Sequence, residues 1–289
     1  MPVLRVGEHE STLNGVRIHY TVRGSGPPLI LHFGGPGLDA RGWDHCAGLD
    51  ECFTLVIIHP RGSGLSGTPD DGSYTLSDYA ADVEALRQHL GLERPFLLGW
   101  SHGGMVAMHF ASTYPKALAG LILLDTAACF DDFATDLEGA VREFSDQSWY
   151  EDSLAALKEE WAGNYADDEE MTGLWAREIK FYFRTFDEVA QAYHRRTSQF
   201  PLRIAPLRYF NEHEAPVMDL RPLLGGIDVP TLVLVGRHDF ITTVSMAEDI
   251  VRRIRRSRLV ILEESGHFAL VEEPAKLKSA IREFAESPG

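Results

Sequence analysis

Cysteine, basic residues and long apolar runs are all scarce in this 289-residue chain. Its three cysteines, Cys46, Cys52 and Cys129, are an odd set with no C-x-x-C pair and no metal-ligand spacing. That excludes a disulfide scaffold and a cysteine-built metal centre. They read as reduced, mostly packed thiols of a cytoplasmic protein, with a Cys46–Cys52 bridge left open. No run is long and apolar enough to span a membrane. The opening MPVLRVGEHE mixes charge into the place where a signal peptide would need a continuous apolar segment. Lysine and arginine total 27 against 43 aspartates and glutamates, a formal net charge of −16. Binding nucleic acid needs a basic stripe, so that class of partner is excluded too.

What the chain does have is apolar content, 44%, enough for a large core built as one domain or as one domain with an insertion. Val16–Val22 alternates like a half-exposed strand, and short apolar β-type runs follow at Leu29–Phe33, Thr54–His59, Phe96–Trp100, Leu121–Leu124, Thr231–Val235 and Leu259–Leu262. Helical periods lie between them. The clearest places Leu76, Tyr79, Val83, Leu86 and Leu90 on one face after the capping signal Thr75-Leu76-Ser77-Asp78. Strands alternating with helices predict a mostly parallel, doubly wound sheet. The alternation stops after Asp125. From about Phe130 to Pro216 the pattern is helical, acidic and aromatic, with Trp149, Trp161, Trp175 and Phe181-Tyr182-Phe183. The expected division is therefore a core over 1–129 and 217–289, with a helical cap over 130–216 inserted after the sixth strand. Such a cap would roof the sheet edge where these folds bind ligands. Between Asp131 and Glu170 fourteen acidic residues face only Arg142 and Lys158, a local balance of −12. This reads mainly as solvated helix faces, and also as a field attractive to cationic, amine-bearing substrates.

One short stretch raises a chemical question. In FLLGWSHGG, residues 96–104, an apolar run turns abruptly polar at Ser101, between Gly99 and Gly103. Glycines there could simply ease the packing of a helix back onto the sheet. The spacing is also G-x-S-x-G, the nucleophile elbow, in which serine sits on a tight strand-to-helix turn beside the free N–H groups of the helix start. A serine hydroxyl needs a base to take its proton, and that base, a histidine, needs a carboxylate to hold its tautomer. Downstream, one strand runs into Gly236-Arg237-His238-Asp239 and the last runs into Ser265-Gly266-His267. Ser101, Asp239 and His267 thus follow the order nucleophile, acid, base at matching strand ends. Asp125, also at a strand end, is a rival acid or a cap for the turn that follows it. His109 reads as packing and His238 as a neighbour of Asp239. The second oxyanion donor is expected from Gly34-Gly35-Pro36-Gly37, the first being the His102 N–H.

These pieces together resemble the proline iminopeptidase family of α/β-hydrolases: GGPG, Arg61-Gly62-Ser63-Gly64-Leu65-Ser66-Gly67, GWSHGG, and GRHD with SGHF. The resemblance implies an α/β-hydrolase fold, a Ser101–Asp239–His267 triad, and an oxyanion hole from the Gly35 and His102 N–H groups. Two positions depart from the family. Phe33 stands where histidine commonly precedes GGPG, with His32 one residue earlier and so on the other face of its strand. His59-Pro60 stands where an Asp-Gln pair commonly leads the next loop. Family aminopeptidases hold the substrate's α-ammonium with cap glutamates, and the resemblance places one near Glu212 or Glu214. Some members remove aminoacyl groups from natural products such as macrolactams.

The expected activity is a cofactor- and metal-independent serine aminopeptidase or amidase, acting on a small molecule or peptide with a free amine. An esterase or lactonase with the same machinery is the nearest alternative. Dehalogenases and epoxide hydrolases of this fold carry an aspartate where this chain has Ser101. A silent ligand receptor is a rival of another class.

Overall fold

The computed structural model describes residues 4–43, 46–131 and 136–287. Eight strands form one sheet: β1 (Gly7–Leu13), β2 (Val16–Gly24), β3 (Pro28–His32), β4 (Thr54–Ile58), β5 (Phe96–Trp100), β6 (Gly120–Leu124), β7 (Thr231–Gly236) and β8 (Ser257–Leu262). Their spatial order is β1-β2-β4-β3-β5-β6-β7-β8. β2 pairs antiparallel with both β1, at the sheet edge, and β4, and the remaining pairings, from β4 across to β8, are parallel. Parallel strands need covered faces, which is why β5, β6 and β7 are buried at every residue. β1, GEHESTL, alternates exposed charged side chains with half-buried ones along the sheet edge.

Two core helices bear on the site. α1 (Leu76–His89) starts at a Thr75 capping box with Asp78, and α2 (His102–Thr113) starts directly after Ser101. One apolar cluster, including Ile30, Leu97, Val106 and Val233, fills one side of the sheet. The other, including Leu31, Leu98, Trp100 and Leu234, fills the opposite side and continues into the cap through Phe181 and Phe183.

Between β6 and β7 the described residues form helices and turns, with an isolated bridge pairing Cys129 with Asp219: α3 (Leu137–Ala140), α4 (Tyr150–Trp161), α5 (Asp168–Glu178), α6 (Glu188–Thr197), α7 (Ile204–Tyr209) and α8 (Arg221–Leu224). A π-helical turn, Phe210–Glu214, prolongs α7. After β7 come α9 (Val244–Arg253), and after β8 α10 (Ala269–Glu272) and α11 (Pro274–Glu286). The chain is thus an α/β-hydrolase fold with a helical cap after the sixth strand. Of the acidic residues described between Asp131 and Glu170, all but Glu160 and Asp168 are exposed, and Asp132 lies outside the described residues. None of the three cysteines is in a disulfide. No helix among the described residues is long and apolar enough to cross a membrane.

Candidate active site

The parallel strands deliver their C-terminal ends to one edge of the sheet, and the candidate residues collect there. Ser101, the first residue after β5, has φ 54° and ψ −122°. That is a costly conformation for a residue with a Cβ, and it lifts the side chain out of the sheet at the start of α2. The turn is held by Ser101 N–H to Leu124 O (2.9 Å), Gly104 N–H to Ser101 O (2.8 Å) and the Thr126 hydroxyl to Ser101 O (2.7 Å). Gly99 and Gly103 are there because strand and helix nearly touch. A Cβ on Gly99 would run into the Gly103 carbonyl, and one on Gly103 into that of His32.

Asp239 and His267 meet in a hydrogen bond, Nδ1 to Oδ2 at 2.7 Å, both almost fully buried. The other Asp239 oxygen accepts from the Ile241 and Thr242 N–H groups at 2.8 and 2.9 Å, while Oδ2 also accepts from the Thr242 hydroxyl at 2.6 Å. Charge-assisted bonds of this kind fix the carboxylate before any reaction begins. The His267 backbone is pinned twice, its N–H to Tyr182 O of the cap (2.8 Å) and its carbonyl by the Trp100 indole (3.0 Å). Ser101, His102, Gly35 and His267 line a single cavity of about 800 Å³.

The rival acid has a different environment. Asp125 is fully buried, and its Oδ1 accepts from Gly236 N–H at 2.8 Å, tying the end of β6 to that of β7. Burial, and then the charge of Asp239, push its pKa well above the ordinary carboxylate range. A carboxyl whose ionised form is disfavoured is a poor partner for an imidazolium.

His102 begins α2, where a backbone N–H has no intrahelical acceptor. Its imidazole is buried edge-on to Tyr79 and Phe210, and burial pushes its pKa down to about 3, so the ring stays neutral. His32 turns to the same Tyr79, at 5.7 Å, whereas Phe33 packs on Trp100 at 4.8 Å. The two neighbours thus join different apolar clusters. His109 is half-buried on α2. The described residues hold no group of three or more His, Cys, Asp or Glu placed to bind a metal ion.

The two glutamates singled out in the sequence are held differently. Glu214 does not line the cavity; its Oε2 accepts the Leu76 N–H at 3.1 Å and caps α1. Glu212 is at the cavity wall but largely exposed, 3.9 Å from His213. Two other carboxylates lie inside. Glu178, at the end of α5, is fully buried, and neither carboxylate oxygen has a hydrogen-bond partner among the described residues. Burial, then the nearby Glu160, hold its carboxyl well above the usual range, and burial lifts Glu160 itself to about 7. Tyr182 lines the same cavity, its ring 5.7 Å from the His267 ring. Its pKa is raised by burial, then by Glu178, Glu160 and Asp239. Most of the remaining lining is apolar and aromatic, including Trp161, Trp175, Phe130, Phe210, Met105 and Met171, with Arg208, Asn211 and Thr242 among the polar residues.

Residues 27–274 match the α/β hydrolase fold family. The chain belongs to that family. A proline iminopeptidase of Saccharolobus solfataricus is 28% identical over 98% of this chain and 93% of its own length. One from Lactobacillus helveticus is 26% identical over 98% and 99%. Among solved structures, an esterase from a Rhodococcus species superposes with a TM-score of 0.76 at 23% identity, covering 99% of this chain and 100% of the other. The chain is therefore similar to proline iminopeptidases along nearly its whole length, and it shares its fold with that esterase.

Proposed function

We propose that this α/β-hydrolase is a serine aminopeptidase that releases a small N-terminal aminoacyl group from an amide. The observation that carries the reading is Glu178: a buried, unpartnered carboxyl, paired with Glu160, in the cavity that holds Ser101 and His267. A buried carboxylate costs several kcal/mol unless a cation or donors satisfy it. A substrate ammonium supplies both, and its charge would favour the ionised forms that burial opposes in the free pair.

Ser101 Oγ attacks the carbonyl carbon while His267 Nε2 takes its proton. Asp239 holds the imidazole by Nδ1 and stabilises the imidazolium that forms. The developing oxyanion is met by the Gly35 and His102 N–H groups, the second at the positive end of α2. Collapse of the tetrahedral intermediate breaks the C–N bond, and the leaving amine takes the proton from His267. Water, deprotonated by His267, then cleaves the acyl-enzyme and frees Ser101. The cavity is larger than one amino acid needs, leaving room for a substantial apolar leaving amine.

We expect Ser101→Ala to abolish turnover and a fluorophosphonate to label Ser101 alone. A panel of aminoacyl arylamides, with free and with acetylated amines, beside simple acyl esters tests the specificity. Preference for free amines supports the aminopeptidase. Equal turnover of free and blocked amines replaces it with an esterase or lactonase that uses the same triad.

A further inference from the structure

The Arg61–Gly67 segment has no role in the chemistry described so far, yet it is heavily built. It follows β4 as a closed turn: Ser63 N–H bonds Pro60 O (3.0 Å), Ser66 N–H bonds Ser63 O (3.1 Å), and Gly62 N–H bonds Gly67 O (2.8 Å). Several anchors fix it to the core, among them the Gly67 N–H to Arg17 O bond at 2.7 Å. The Arg61 guanidinium grips buried Asp82 at 2.7 and 2.8 Å, Leu65 N–H donates to His59 Nδ1 at 3.1 Å, and the Ser66 hydroxyl bridges His59 O and His19 N–H. At its centre Ser63 is 1% exposed, and its hydroxyl faces the loop after β3. There Ser63 Oγ accepts the Gly37 N–H at 3.1 Å.

That loop is the one whose Gly35 is read as an oxyanion donor. It has no helix or strand of its own; Leu38 N–H to Gly35 O (2.9 Å) closes a turn inside it. Gly37 holds it from outside through both of its backbone groups. Its N–H goes to Ser63, and its carbonyl accepts the Arg203 N–H of the cap at 3.0 Å. At φ +91° Gly37 lies against the Arg203 carbonyl, which a Cβ would strike. An oxyanion donor works only if it is aimed before charge develops, so whatever fixes this loop sets part of the barrier.

We propose that Ser63 is a positioning residue for the reaction, its hydroxyl anchoring the oxyanion loop to the rigid Arg61–Gly67 turn. The inference rests on the serine-hydrolase reading above, though not on its amine site. Ser63 touches no reacting atom and acts through Gly37 on the Gly35 N–H two residues away.

Three variants and two readouts test it. Ser63→Ala removes the acceptor, Ser63→Cys keeps the volume with a weak acceptor, and Ser63→Thr keeps the hydroxyl. With an aminoacyl arylamide and with a simple p-nitrophenyl ester, Ser63→Ala should lower kcat roughly tenfold, a fraction of what losing a donor outright costs, with KM within about twofold. Ser63→Cys should fall between Ala and wild type, and Ser63→Thr should recover most of the rate. The second readout is affinity for a trifluoromethyl ketone, whose serine adduct carries an oxyanion. It should weaken by the same factor as kcat/KM, which lost stability alone would not produce. Should Ser63→Ala not fold, Ser63→Cys carries the same comparison. Unchanged kcat in the folded variants, or a fall in kcat without loss of ketone affinity, overturns the assignment. Turnover surviving Ser101→Ala would instead overturn the hydrolase reading beneath it.

Discussion

Asp239 and Asp125 are two buried carboxylates at neighbouring strand ends, and their hydrogen bonds separate them. Asp239 accepts two backbone N–H groups and a hydroxyl and meets His267, whereas Asp125 is tied to Gly236 and its ionised form is disfavoured by burial. We expect Asp239→Asn to cut kcat by roughly 10³- to 10⁴-fold through the wrong imidazole tautomer. Asp125→Asn keeps an acceptor for Gly236 N–H and should change kcat less than about threefold, with its effect seen in Tm. Steady-state kinetics giving the opposite ranking would move the acid to Asp125.

Glu178 and Glu160 also make a stability statement. Both have folded-state pKa values above the ordinary 4.5, so the folded state favours their protonated forms. Their contribution is fully present below about 4.5 and is lost as pH rises through the folded values, about 7 for Glu160. Glu178→Gln should therefore raise Tm near pH 8 by roughly 2–6 °C, and the gap should close toward about pH 5. A pH series of thermal melts checks both the sign and the window. Neither residue was found from sequence, since Glu160 lies in a stretch of acidic residues that face solvent and Glu178 stands between Arg177 and Lys180. The signal was present: Met171, Leu174 and Glu178 share the buried face of α5, and Ser153, Ala156, Leu157 and Glu160 share one face of α4. A carboxylate on an apolar stripe is the exception worth following. Ser101, Asp239 and His267 were legible because spacing and strand-end placement carry the chemistry themselves.

At the scale of elements, buried strands were easier to read than cap helices. β5 has the bounds its apolar run predicts, and β7 extends the Thr231–Val235 run by one residue. β1 was missed because GEHESTL, at the sheet edge, offers charge rather than a hydrophobic pattern. The π-helical turn after α7 was equally invisible, and it matters, since it sends Glu214 to α1 instead of the cavity. The α1 start is thus capped by Thr75 from its own chain segment and by Glu214 from the cap. Thr75→Ala should cost about 1 kcal/mol. Glu214→Ala should cost about as much and leave the preference for free amines unchanged. Denaturant melts and paired assays would show this, and a loss of amine preference in Glu214→Ala would return that residue to the site.

The whole molecule adds a field. A net charge of −16, concentrated on the exposed faces of the cap, should draw cationic substrates toward the cavity from a distance. Raising ionic strength from about 0.02 to 0.5 M should lower kcat/KM for free-amine substrates a few-fold and leave neutral esters unaffected. The buried contact at Glu178 is screened far less and should survive. Its removal is the most direct test: the ratio of kcat/KM for a free-amine aminoacyl arylamide to that of its N-acetyl counterpart, in wild type and in Glu178→Gln at about 0.5 M salt. We expect the ratio to fall by about 30- to 1000-fold, or roughly 2–4 kcal/mol, almost entirely through the free-amine substrate. A ratio near one in wild type, or one that Glu178→Gln leaves unchanged, would contradict an ammonium site at this carboxylate pair.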